Sequence, residues 1–108
     1  MIWNAHVAEW TDLPPHDRSR IMQAVAKVET VLREHIKPTK VNLASLGNVV
    51  PHLHWHVIAR FQGDAAWPAP VWGRQPAQAY TADELKATMA LLRRALAGDD
   101  QLSLHWLS

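Results

Sequence analysis

The chain has 108 residues, is 48% hydrophobic and carries a formal net charge of +1. That length and apolar share suit a single domain with its own core over 1–108. The charge leaves no electrostatic footprint for a nucleic acid polymer or an anionic membrane. With no cysteine, disulfides and thiolate metal sites are excluded. No apolar run approaches a membrane span and no basic-then-apolar leader is visible, so a cytoplasmic protein is expected.

Met1 to Trp10 is apolar-rich and predicts a strand. Asp12-Leu13-Pro14-Pro15 predicts a helix start, with Asp12 as N-cap and proline in the first turn. Ile21, Met22, Val25, Val28, Leu32 and Ile36 then recur at spacings of three and four, so the amphipathic helix runs over 14–36 and stops at Pro38. Lys40 to Leu46 alternates and predicts a strand. Gly47-Asn48 signals a turn, and Val49 to Phe61 predicts a second strand antiparallel to the first. Gln62 to Tyr80 reads as a long loop with a functional or interface role. Thr81-Ala82-Asp83-Glu84 is a capping box, and Leu85, Met89, Leu92 and Leu96 mark a second helix over 81–97. Leu102 to Ser108 predicts a short strand. The fold class expected is α+β, one antiparallel sheet with two helices packed on it.

The most informative segment is His52-Leu53-His54-Trp55-His56-Val57-Ile58. Three histidines at two-residue spacing share one face of an extended chain, while Leu53, Trp55 and Val57 share the other. His52 and His56 lie about 13 Å apart in that geometry. Burial of apolar surface does not explain a row of imidazoles, each with nitrogens that need partners and a charge that changes near neutral pH. Three readings are open: an incidental row, a metal site in which His6 supplies a further ligand, and nucleophilic catalysis by histidine. In the last, a neutral ring attacks phosphorus and flanking rings neutralise phosphate oxygens and relay a proton. Attack requires a neutral ring, so activity should fall below about pH 6.5.

The pattern His, apolar, His, apolar, His, apolar, apolar resembles the signature of the histidine triad (HIT) superfamily, most closely its bacterial HIT-family or diadenosine-tetraphosphate-hydrolase-like branch. Lys40-Val41-Asn42, Gly47-Asn48, Arg60 and Asp64 also match, and the resemblance covers roughly 5–75. It implies a metal-independent, cofactor-free hydrolase or nucleotidyl transferase acting at the α-phosphate of a nucleotide conjugate. His54 matches the family's nucleophile and His52 and His56 its flanking histidines, with the His52 carbonyl as acceptor for His54 Nδ1. His6 matches an upstream histidine near the site, and Asn42 and Asn48 match positions that hold ribose or phosphate. For those two asparagines, strand-end and turn roles stay open. His16, His35 and His105 have no role in this reading, and the Trp67–Trp72 stretch either covers the site or packs.

Two departures stand out. Val49 sits where several members carry Ser or Thr that bonds the scissile oxygen. HIT domains also usually have a further helix and one or two strands before the part matching Met1 to Trp10, so the domain reads as N-terminally short. A nucleotide-binding module without turnover is the alternative implied. An apolar strand at Ile2, Trp3 and Val7 would be an exposed sheet edge. Together with the six tryptophans and the family's habit of joining sheets, this predicts a homodimer.

Overall fold

The computed structural model describes residues 1–71, 82–97 and 102–103. Residues 72–81, 98–101 and 104–108, and the side chains of Ala82, Glu84, Leu85, Leu102 and Ser103, lie outside the described residues, and with them the expectations at Trp72, the Thr81 capping box, Leu85, His105 and Trp106. The elements are β1 (Ile2–Trp3), a 3₁₀ turn (Trp10–Asp12), α1 (Pro15–His35), β2 (Lys40–Ala44), β3 (His56–Arg60), α2 (Ala82–Ala95) and β4 (Leu102–Ser103).

α1 forms where the period of 3.6 is strongest. Ile21, Ala24, Val25, Val28 and Leu32 are its buried stripe. Asp17 in its first turn and Arg33 and His35 in its last complement the helix dipole. Asp12 is not its N-cap. Pro14 takes that position with extended backbone, and the Asp12 carboxylate instead accepts the Glu9 backbone N–H at 3.0 Å, closing the 3₁₀ turn. At the other end Lys37 adopts a left-handed conformation with φ 56°. Its N–H and that of Ile36 both reach the Leu32 carbonyl, at 3.2 and 2.9 Å, an αL cap that hands the chain to Pro38.

β2 and β3 pair antiparallel, with Lys40 opposite Arg60, Asn42 opposite Ile58 and Ala44 opposite His56. The connection between them is residues 45–55, longer than the tight turn expected at Gly47-Asn48. The strand expected over 49–61 is confined to 56–60, because Pro51 has no N–H to give a ladder and the His52 N–H bonds locally to the Val50 carbonyl at 2.8 Å. Residues 53–55 stay extended but pair with a different part of the chain. The Trp3 N–H reaches the Leu53 carbonyl (3.2 Å), the Leu53 N–H reaches Val7 (2.8 Å) and the Trp55 N–H reaches Met1 (2.7 Å). A bridge between Ile2 and His54 thus joins the β1–β4 ladder to the β2–β3 ladder.

The chain is α+β, as expected. α1 lies against β3, and α2 packs on α1. The core between them contains Met1, Trp3, Leu13, Ile21, Leu53, Leu92 and Leu96, with Trp55, Val57 and Met89 packed on it. The expected strand across Met1 to Trp10 shrinks to two residues, and it is not an exposed edge. Ile2 and Trp3 pair with Ser103 and Leu102, and Trp3 is only 2% exposed. Its indole fills this chain's own core rather than an interface.

Ile21 is fully buried, so Ile21→Ala should lower unfolding stability by roughly 2–5 kcal/mol, as large-to-small core changes do. Val49→Ala, at a residue 92% exposed, should stay within about 0.5 kcal/mol of the parent. Urea unfolding of the two variants side by side measures both.

Candidate active site

The pairing just described aims the imidazoles. Leu53 is 2% exposed, and Leu53, Trp55 and Val57 all point into the core. The alternation of an extended chain then places His52, His54 and His56 on the opposite side, half-buried.

His54 is held in one tautomer. Its Nδ1 lies 2.6 Å from the His52 carbonyl oxygen. A carbonyl only accepts, so Nδ1 carries the proton and in the neutral ring Nε2 keeps its lone pair. The Ser45 hydroxyl donates to the His54 carbonyl at 2.8 Å, fixing the same residue from the loop that follows β2. The His56 ring meets the His54 ring edge-on, with centroids 5.1 Å apart and planes at 81°. Burial, then the neighbouring His54 ring and the N-terminal ammonium, push the His56 pKa below the ordinary imidazole value, which favours the neutral ring at pH 7.

His52 is engaged differently. Its Nε2 donates to the Trp3 carbonyl, and its Nδ1 faces His6 Nδ1 at 3.4 Å, with ring centroids 5.5 Å apart. His6 therefore does join the segment, through His52. The four histidines form two pairs, His6 with His52 and His54 with His56. Among the described residues no group of three histidine, aspartate or glutamate side chains is placed to hold a metal ion.

Asn42 lies on β2 opposite Ile58, and its Oδ1 accepts from Arg60 Nη1 at 2.8 Å. Asn48 is exposed in the 45–55 connection. Arg60 itself is 2% exposed. Its Nε and Nη2 clasp the Asp64 carboxylate at 2.8 and 3.0 Å, Nη2 also donates to the Ala69 carbonyl at 2.7 Å, and the guanidinium lies over the Trp67 ring. Asp64 further accepts the backbone N–H groups of Phe61, Ala66 and Trp67. The Arg60 guanidinium above all, with the Phe61 and Trp67 N–H groups, holds the Asp64 carboxyl well below the usual carboxylate range. A cleft of about 530 Å³ runs along this part of the sheet, lined by Lys40, Asn42, Ala44 and Ile58, by Pro68, Pro70 and Val71, and by Glu29 of α1.

Sequence reasoning missed two supports of the site. The Trp3 carbonyl carries no side-chain signal. Ser45 becomes visible only once the register is known, one residue beyond the Ala44–His56 pair.

The HIT domain matches residues 1–63. The chain belongs to the HIT family. Among solved structures, this HIT domain is similar to a histidine triad protein from Bradyrhizobium japonicum, at 42% identity over 83% of this chain and 67% of that one, with a TM-score of 0.74. A histidine triad protein from Marinobacter aquaeolei VT8 is 38% identical over 85% and 67%, TM-score 0.72. One from Sinorhizobium meliloti 1021 is 35% identical over 85% and 68%, TM-score 0.73. The chain thus spans about two thirds of the length of each. No curated protein matches it. Membership connects this HIT domain with nucleotide chemistry. Neither described helix is long and apolar enough to cross a membrane.

The Arg60–Asp64 pair has a pH signature. The folded-state pKa of Asp64 is depressed, so its contribution is fully present above the ordinary value of 3.8 and is lost progressively as pH falls below it. Urea midpoints recorded between pH 7 and 2.5 should fall with acid in the parent, and Asp64→Asn should be less stable at pH 7 with a shallower fall. An unchanged slope in the variant would show that other carboxylates carry the acid sensitivity.

Proposed function

We propose that this HIT domain is a hydrolase or nucleotidyl transferase that cleaves at the α-phosphate of a nucleotide conjugate, either a dinucleoside polyphosphate or a nucleoside phosphoramidate. His54 is the nucleophile. Its Nε2 lone pair attacks the α-phosphorus, a nitrogen–phosphorus bond forms, and the bond to the leaving group breaks. A polyphosphate leaves as the anion, while an amine takes one proton relayed by the flanking imidazoles. Water then attacks the same phosphorus and gives up a proton through the flanking imidazoles, the nitrogen–phosphorus bond breaks with its electron pair returning to Nε2, and the neutral ring is restored. His56, neutral, donates its N–H to a phosphate oxygen. His52 holds His54 through its carbonyl and is itself held by Trp3 and His6. His6, Asn42 and Asn48 bind substrate around this centre, without a metal or cofactor, in a cytoplasmic setting.

The observation that carries this reading is the His54 Nδ1 bond to the His52 carbonyl, because it places the neutral ring's proton on Nδ1 and its lone pair on the attacking Nε2. Acid-quenched protein incubated with an adenosine 5′-phosphoramidate or diadenosine tetraphosphate should gain one nucleotidyl mass. His54→Ala should gain none and should lose at least about 10³-fold in turnover, in the upper range for removal of a catalytic imidazole. An adduct that survives in His54→Ala would move the nucleophile elsewhere. Nucleotide binding with no adduct and no turnover would leave a binding module.

We further propose that the domain works as a homodimer. Among the described residues β2 pairs with β3 alone, and its free edge carries exposed Leu43 beside exposed Leu46, Val49 and Val50. An uncovered apolar edge favours strand pairing with a second copy, with burial above roughly 1,000 Å² in total. Light scattering at micromolar concentration should give twice the 12.2 kDa chain mass. Leu43→Lys should shift the population to monomer, whereas a monomeric parent would overturn the proposal.

A further inference from the structure

Among the described residues Arg60 is the largest fully buried side chain, and the chemistry assigned to the histidines does not use it. Its placement is nevertheless specific. β3 carries His56, Ile58 and Arg60 on one face, and the register sets Asn42 of β2 opposite Ile58, two pairs along from Ala44 and His56 and thus the next pair on that face. On such a face, diagonal neighbours have side-chain roots about 7–8 Å apart, so Asn42 lies within one phosphate group's reach of the His56 ring.

A guanidinium only donates. The Asn42 atom at 2.8 Å from Arg60 Nη1 is therefore the amide oxygen, and the amide cannot turn over without setting NH₂ against guanidinium. With Oδ1 held, Nδ2 and its two N–H donors occupy the other branch of the amide. Arg60 is in turn immobilised by the bidentate Asp64 carboxylate and the Ala69 carbonyl. A neutral amide presented this way gives an anion two donors at a fixed angle, without the mobility of a lysine.

We propose that Arg60 is a positioning residue for nucleotide binding. It acts through Asn42, holding that amide so that Nδ2 donates to a phosphate or ribose oxygen of the substrate bound at His54 and His56. The inference rests on the nucleotide reading of the site and adds to it the group that sets the Asn42 orientation. Lysine cannot replace Arg60, because one ammonium cannot serve Asp64, Ala69 and Asn42 in the same planar fork.

The test is a titration with adenosine 5′-monophosphate, followed by NMR of the Asn42 side-chain amide and the histidine rings, which needs no turnover. In the parent, the Asn42 Nδ2 signals and the His54 and His56 ring signals should shift with one common midpoint. Asn42→Ala and Arg60→Lys should each weaken binding about 10-fold, the effect of one lost hydrogen bond to a charged group. The double variant should be no weaker than either single one, because both changes remove the same interaction. Losses that multiply in the double variant, or an Asn42 amide that stays still while the histidine rings move, would overturn the inference and leave the nucleotide reading intact. Histidine rings that do not respond to the nucleotide at all would overturn that reading and this one with it. If Arg60→Lys does not fold, Asn42→Asp carries the test. Its carboxylate still accepts from Arg60 but turns an acceptor toward the phosphate, so it should weaken binding more than Asn42→Ala, and equal or better binding than Asn42→Ala would refute the role.

Discussion

The seating of Leu53 in the core governs the rest of this domain. A buried leucine side chain contributes about 1.5–3 kcal/mol, and here it is clamped on both sides by backbone bonds to Trp3 and Val7. Because successive side chains of an extended chain alternate, a slip by one residue would put the imidazoles into the core and Leu53 and Trp55 into water. The energetic preference for one register is thus also what presents His54 and His56 together. Core packing and site geometry are the same constraint seen from two faces.

A second anchor works at the far end of the same strand. Arg60 brings a charge into the interior, which is tolerated only when its donors are satisfied and its charge is paired. Four hydrogen bonds to Asp64, Asn42 and Ala69 meet that condition. They also tie β2, β3 and the loop through Trp67 into one unit. The histidine segment is therefore held apolar-side-in at Leu53 and polar-side-in at Arg60, and β3 between them has little freedom to rotate.

Within that frame the histidines divide their work. Hydrogen bonds to backbone carbonyls decide the tautomers of His52 and His54. Burial depresses the pKa of His56. A row of three identical side chains thus becomes three different groups: one held as a support, one with a free ring nitrogen, and one kept neutral. The Trp3 carbonyl, the His52 carbonyl and burial are what separate their roles.

The α+β class, the span of α1, the antiparallel β2–β3 pair and the common face of the histidines follow from the sequence by itself. The apolar stripe from Ile21 to Leu32 and the alternation from His52 to Ile58 are periodic, and periodicity reports which side is buried. The motif also pointed to the HIT family and to the His52 carbonyl as the partner of His54. Only tertiary structure decided the rest. It limited β3 to 56–60 and gave residues 53–55 to the chain around Met1 to Val7. Among the described residues it left the open edge at Leu43 rather than at Ile2 and Trp3. It drew His6 onto His52, and it turned Asn42 toward Arg60. The limit on β3 starts locally, at Pro51 and the His52–Val50 bond; each of the other outcomes depends on a backbone group or a partner more than a dozen residues away, and local spacing carries no record of which distant donor will meet which acceptor.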